Sequence, residues 1–222
     1  MNAISASPAS TVDQATPRAI LVWDAPVRVF HWLMVLCFAG AYLSAESERW
    51  RLLHVTLGYS MVGLVGFRLV WGVLGTRYAR FSSFIRGPQA VARYVGALLR
   101  RQPEHHTGHN PAGAIAIVAL LGLTLVMGLS GWAIYNDYSA AWLEKTHDLA
   151  ANAMLLMVGI HIAGVAVASL MHRENLLRSM LTGRKLGQPK DGIGHSWHWL
   201  AELLLLAVLV FWWLQWESSL LI

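Results

Sequence analysis

Residues 144–171 read EKTHDLAANAMLLMVGIHIAGVAVASLM. From Leu149 to Met171 there is no charge, and apolar runs beyond about 18 residues are candidate membrane spans. Two histidines, His147 and His161, sit in this segment 14 positions apart. At about 100° and 1.5 Å per residue, 14 steps bring a helix back to within roughly 40° of the starting face and about 21 Å further along. Both imidazoles therefore face the same way at two depths. Histidines inside membrane helices are rare and usually functional.

The rest of the chain fits a membrane setting. Of its 222 residues, 56% are hydrophobic and 13% charged, with mean hydropathy +0.47, against about 25% charged in soluble domains. Val29–Ala45 and Asn110–Asn136 are uncharged, and Leu52–Thr76 contains one charge, Arg68. Backbone groups in lipid must be satisfied within the segment, so these runs predict helices over roughly 28–45, 51–75, 112–136 and 144–171. Glu46–Trp50 forms a tight loop between the first two. A fifth apolar run, Leu203–Trp216, follows Glu202 and is bracketed by tryptophans in the manner of interfacial belts. It predicts a fifth span over 197–218, the other reading being a helix lying on the membrane or against a partner. The fold class is thus an all-α integral membrane bundle, four helices with a fifth at the C-terminus. The Ser/Ala/Thr-rich residues 1–19 read as a disordered tail without the apolar core of a signal peptide. Residues 20–185 read as the membrane domain and 186–222 as connector plus last span. No internal repeat is visible.

The formal charge of +5 raises nucleic acid as a partner, but its distribution excludes it. With a cytoplasmic N-terminus, the inner segments hold Arg18, Arg28, six arginines from Arg77 to Arg101 and five bases from Arg173 to Lys190, whereas the outer loops hold Arg49, Arg51 and Lys145. Such asymmetry follows the positive-inside rule. Segment 77–109 interleaves its arginines with Phe81, Phe84, Val91, Tyr94, Val95, Leu98 and Leu99. That pattern predicts an amphipathic stretch on the inner membrane surface, its helical part opening at Gly87-Pro88.

Two more histidines match the first two in depth. His31 stands near the inner end of the first span, level with His161, and His54 near the outer end of the second, level with His147. A helical bundle interior is a usual place for a cofactor held by facing side chains. Each pair can fill both axial positions of a haem, leaving no open position for oxygen, so the natural work is electron transfer. The single cysteine, Cys37, gives no disulfide within the chain and no Cys-x-x-Cys-His attachment motif, so haem is held without a covalent bond. Gly58, Gly63, Gly66, Gly159 and Gly164 let bulky groups approach the helices. A hydrogen-bonded interior role would suit one such histidine, and four matched in depth and face argue against it. Metal transport fits poorly, because the two levels are too far apart for one ion and no acidic or Cys ligands accompany them.

Arg68, 14 residues after His54, falls on nearly the same face at the inner level. It can pair with a haem propionate or equally snorkel to the helix end. His109, in Gly108-His109-Asn110-Pro111, can serve a quinone head group or a propionate, with a capping or surface role equally open. His105 and His106 read as solvated loop residues; His172, His195 and His198 read as interfacial.

At these positions the sequence resembles the bacterial di-haem cytochrome b family, which includes prokaryotic cytochrome b561 and the b-type cytochrome subunits of nickel-iron hydrogenases. The matching pieces are Val22-Trp23-Asp24, Arg28-Val29-Phe30-His31-Trp32, Leu53-His54-Val55-Thr56-Leu57-Gly58-Tyr59 and Phe67-Arg68-Leu69-Val70-Trp71-Gly72. They continue with Arg77-Tyr78-Ala79-Arg80-Phe81, Gly108-His109-Asn110-Pro111, the His147/His161 pair and Arg173-Glu174-Asn175-Leu176. The resemblance covers about 20–185 and implies a four-helix core in a bacterial inner membrane. It implies two haems b on the pairs His31/His161 and His54/His147, and electron exchange between quinone (ubiquinone or menaquinone) and a periplasmic partner such as cytochrome c or a hydrogenase. An electron-transfer subunit is the leading expectation. A stand-alone superoxide oxidase that reduces quinone and a haem-free membrane anchor are the alternatives, and a homodimer is left open.

Overall fold

The first span begins where Asp24 meets Ala25-Pro26: the Asp24 carboxylate accepts a hydrogen bond from the Val27 amide at 2.8 Å, and a proline in the first turn gives up no needed donor. The computed structural model describes residues 16, 18–100, 106–138 and 140–220. Among them, helices α1 (Ala25–Ser44), α2 (Arg51–Leu74), α4 (Pro111–Tyr135), α5 (Ala141–His172) and α7 (His198–Leu220) form the body. The shorter α3 (Pro88–Leu99) and α6 (Leu176–Thr182) and the strands β1 (Arg18–Leu21) and β2 (Arg184–Gly187) gather at one end. Among the described residues five helices are long and apolar enough to cross a membrane, as expected from the charge-free runs. Two of them start earlier than the runs suggest, at Ala25 and Ala141. A charge such as Arg28 or Glu144 interrupts an apolar run without interrupting a helix.

Local signals set the other boundaries. Asn110 accepts from the Gly113 amide at 2.7 Å ahead of Pro111 at the start of α4. Gly87 takes φ +78° just before Pro88, a conformation that favours glycine. α6 is capped by Asn175 and ends on Gly183 at φ +79°.

α1 packs on α2, α2 on α4, α4 on α5, and α7 along α1. The central cluster draws Leu33, Cys37 and Ala41 from α1, Leu57, Met61 and Leu64 from α2, Met154 from α5 and Val208 from α7. The Trp212 indole donates to Ser60 Oγ at 2.8 Å, and the Ala25 amide donates to the Ser196 carbonyl at 2.8 Å. The fifth long helix is thereby part of the bundle, not a strip lying apart from it. A Cβ at Gly128 would run into Val62, so a glycine is what lets α4 approach α2.

The short sheet is absent from the sequence reading. β1 and β2 pair antiparallel, Arg18 opposite Gly187 and Leu21 opposite Arg184. The Gly183 carbonyl accepts from the Val22 and Trp23 amides at 2.8 and 3.0 Å, and Tyr78 donates to the Asp191 carbonyl at 2.7 Å. Arg18 and Ala19, read as tail, are thus in β1, and β2 crosses the 185/186 division between membrane domain and connector. The remainder of that tail, apart from residue 16, lies outside the described residues, as does His105. The described parts of segment 77–109, residues 77–100 and 106–109, fold against the same end, burying Tyr78, Ala79, Phe84 and Tyr94. We call this the sheet end; the opposite turn end carries the 3-10 turn Glu48–Trp50 and the α4–α5 link.

Candidate functional site

α5 packs against α4 and α6 rather than along α1 or α2. A long helix carrying two histidines therefore faces the α1–α2 pair across a gap, lined by Gly58 on α2 and by His147 and Ala151 on α5. Such a gap in a bundle is room for a flat group.

At the turn end the gap is a cavity of about 620 Å³, lined among others by His54, Gly58, Gly131, Tyr135 and His147. That volume is within the roughly 300–1,000 Å³ of cofactor and ligand sites. The rings of His54 (α2) and His147 (α5) stand 6.1 Å apart, inclined by 63°. His54 Nδ1 lies 2.8 Å from the Ala41 carbonyl; His147 Nδ1 lies 3.1 Å from the Met127 carbonyl and 3.1 Å from Ser130 Oγ. A carbonyl can only accept, so each Nδ1 carries the proton and donates, leaving each Nε2 with a lone pair for a metal. Two imidazoles on opposite sides of one metal, at about 2.0–2.1 Å each, place their ring centres about 6 Å apart. The observed separation meets this condition.

At the sheet end the structure brings His31 (α1), Arg68 (α2), His109 (before α4) and His161 (α5) into one cluster. Arg68, Lys185 and the two helix histidines all lie within electrostatic reach of His109. Burial first, and those neighbours second, push the His109 imidazole down to about 3, so it is neutral across the physiological range. Its ring is clamped between Trp23 and Phe84, with centroids at 4.5 and 4.6 Å. Arg68 is 3% exposed and lies over the Phe81 ring at 4.6 Å. Buried nitrogens of His31, Trp32, Arg68 and His109 have no protein partner. Such orphans call for a ligand or water, and an acidic group such as a propionate would satisfy several at once. Both ends accordingly fit a haem. Among the described residues no group of three or more His, Cys, Asp or Glu side chains is arranged to hold a metal ion directly.

A match to the model of one protein family, described as prokaryotic cytochrome b561, spans residues 22–183, which takes in all six of these residues. The chain belongs to the prokaryotic cytochrome b561 family. It is a multi-pass membrane b-type cytochrome that carries electrons, with haem b as cofactor. Among its relatives, the probable Ni/Fe-hydrogenase B-type cytochrome subunit of Rhizobium leguminosarum bv. viciae is 23% identical over 221 residues, covering 78% of this cytochrome and 92% of the relative. The protein of the same description in Rhodobacter capsulatus is 25% identical over 75% of this chain and 81% of its own. The probable Ni/Fe-hydrogenase 1 B-type cytochrome subunit of Escherichia coli K12 is 28% identical over 53% and 61%. No solved structure matches.

Sequence reasoning missed three features of the cytochrome's sheet end. Asp24, 1% exposed, accepts from Trp71 Nε1 at 3.1 Å and Thr76 Oγ1 at 2.6 Å besides capping α1. It locks the start of the His31 helix to the end of the Arg68 helix; an Asp directly before Ala-Pro was the available signal. Trp23 and Phe84, whose rings pack against His109, appeared in the sequence only as part of a short motif and of an amphipathic stretch. Lys185, counted as a surface charge, is buried and pairs with Glu174 at 3.1 Å, which no local pattern announces. His195 and His198 are exposed.

Proposed function

We propose that the cytochrome holds two haems b, one between His54 and His147 and one between His31 and His161, and passes electrons between membrane quinone and a redox protein at the opposite surface. The observation that carries this is the facing His54/His147 pair, with both Nδ1 groups engaged and both Nε2 groups free across a cofactor-sized cavity. Haem would be held there by these histidines and would supply a one-electron change. The chain does the rest. The Ala41 and Met127 carbonyls orient the rings, the Arg68 guanidinium balances propionate charge, and the apolar bundle keeps water out.

The sheet end is the cytoplasmic one in this proposal, since the inner segments of the sequence hold thirteen Lys and Arg against three in the outer loops, and the membrane is the bacterial inner membrane. His109 and Arg68 border the quinone site at that end, one as a neutral hydrogen-bonding group and one as a fixed cation; the quinone is ubiquinone or menaquinone. At the turn end the partner is a hydrogenase, in keeping with the description of the relatives, with cytochrome c as the other candidate. The test is an optical redox titration of the purified protein. Two one-electron transitions of low-spin haem b are expected, and a high-spin spectrum would refute axial ligation by paired histidines.

A further inference from the structure

A second, smaller cavity lies at the sheet end, beside the residues that flank His109. It measures about 40 Å³ and is lined by residues that include Gly108, Asn110, His172, Glu174 and Lys185. Gly108 and Asn110 are the chain neighbours of His109, so the cavity borders the segment that carries that imidazole. A water needs about 10–15 Å³ and two to four polar partners, and this space offers both.

The charged pair beside it is costly. Lys185 and Glu174 are 4% and 17% exposed at their side chains and 3.1 Å apart. Removing two charges from water often costs as much as their attraction returns, so stability alone is a poor reason for such a pair. Lys185 Nζ is also within 3.3 and 3.4 Å of the Thr107 and His106 carbonyls. Its three donors are thereby committed, and its side chain is held in place. Glu174 differs: one carboxylate oxygen is held by Lys185, and the other, Oε1, is buried without a protein partner. A carboxylate with one anchored and one unanchored oxygen, partly open to the surface and bordering a water-sized polar space, has the geometry of a proton carrier.

We propose that Glu174, positioned by Lys185, exchanges protons with the quinone bound beside His109 and Arg68 through this cavity. The inference rests on the quinone reading of the sheet end. Reducing a quinone to a quinol takes two electrons and two protons. The electrons leave the reduced cytochrome one at a time; the protons leave the Glu174 carboxyl, which regains each from water at the adjoining surface. The same path runs backwards when a quinol is oxidised.

The test uses the purified, haem-loaded protein, reduced and then mixed rapidly with either of two oxidants: a short-chain ubiquinone or menaquinone analogue, which takes up protons, or ferricyanide, which takes none. Glu174→Gln should slow reoxidation by the quinone about tenfold or more, at the lower side of the 10²–10⁴ that a placed acid or base contributes, since water substitutes in part. Ferricyanide rates and the haem spectrum should stay unchanged, and Glu174→Asp should recover much of the quinone rate. The double variant Glu174→Gln/Lys185→Met leaves no unpaired buried charge and decides the matter if the single variant folds poorly. A double variant as fast with quinone as the wild type would overturn the proposal. So would equal slowing with both oxidants, the mark of a latch that only holds α6 and β2 in place. A wild type that quinone does not reoxidise removes the quinone reading, and the relay with it.

Discussion

Gly131 on α4 lies directly behind the His147 ring. A Cβ there would sit 3.1 Å from the ring's Cε1 and 3.3 Å from Nδ1, closer than carbon atoms rest comfortably. The ring cannot retreat freely, because Nδ1 is tied to the Met127 carbonyl and Ser130 Oγ. Inserting carbon into a packed site costs about 1–3 kcal/mol. Gly131→Ala belongs near the lower limit and Gly131→Val near the upper. At about 1.4 kcal/mol per decade these become losses of roughly fivefold and 100-fold in affinity for the turn-end haem. The assay is haem titration into apoprotein, followed by absorption. Gly122 on the same helix has open space where its Cβ would go, so the matching substitutions there control for helix propensity and should leave both haems in place. Gly131→Val with undiminished haem content and affinity would refute the idea that this ring's position matters to cofactor binding.

Asp24→Ala removes a helix cap and leaves the Trp71 and Thr76 donors unpaired; each loss is worth about 1–2 kcal/mol, so thermal unfolding should come earlier and the sheet-end haem should be lost before the turn-end one. Arg68→Met removes a buried cation, which should lower the potential of the sheet-end haem by something on the order of tens of millivolts, measured by redox titration, with the other potential nearly unmoved. His109 is depressed to about 3 from 6.5 by burial. The unfolded chain therefore binds the extra proton first, and stability present above pH 6.5 is lost as pH falls toward 3. His109→Gln should flatten that acid decline in a thermal-melt series. The outer loops carry Glu46, Glu48, Asp137, Glu144 and Asp148 against Arg49, Arg51 and Lys145; if they steer a basic redox protein, electron exchange with it should slow as salt rises, and neutralising Glu144 and Asp148 should weaken that dependence.

The bundle was legible because lipid imposes a simple rule. Charge-free runs long enough to span become helices, and the 14-residue spacings of His147/His161 and His54/Arg68 put each pair on one face of its helix without any tertiary knowledge. Gly87-Pro88 likewise marked a helix start through local chemistry alone. What escaped is non-local. The pairing of Arg18–Leu21 with Arg184–Gly187 joins segments more than 160 residues apart through four-residue strands with no alternation to read. Asp24 looked like part of a short motif until Trp71 and Thr76 were seen to converge on it, and Lys185 looked like an inner surface charge until Glu174 was found beside it. Composition reports how many charges a loop has, but not which of them the fold buries.

The central claim is that paired histidines at two levels hold two haems. The most direct measurement is the haem b content per chain of purified wild type, His147→Ala and His161→Ala, with a redox titration of what remains. Two haems are expected in the wild type and one in each variant. The surviving transition should be that of the sheet-end haem after His147→Ala and that of the turn-end haem after His161→Ala. Two haems retained in both variants, or a single haem in the wild type, would contradict it.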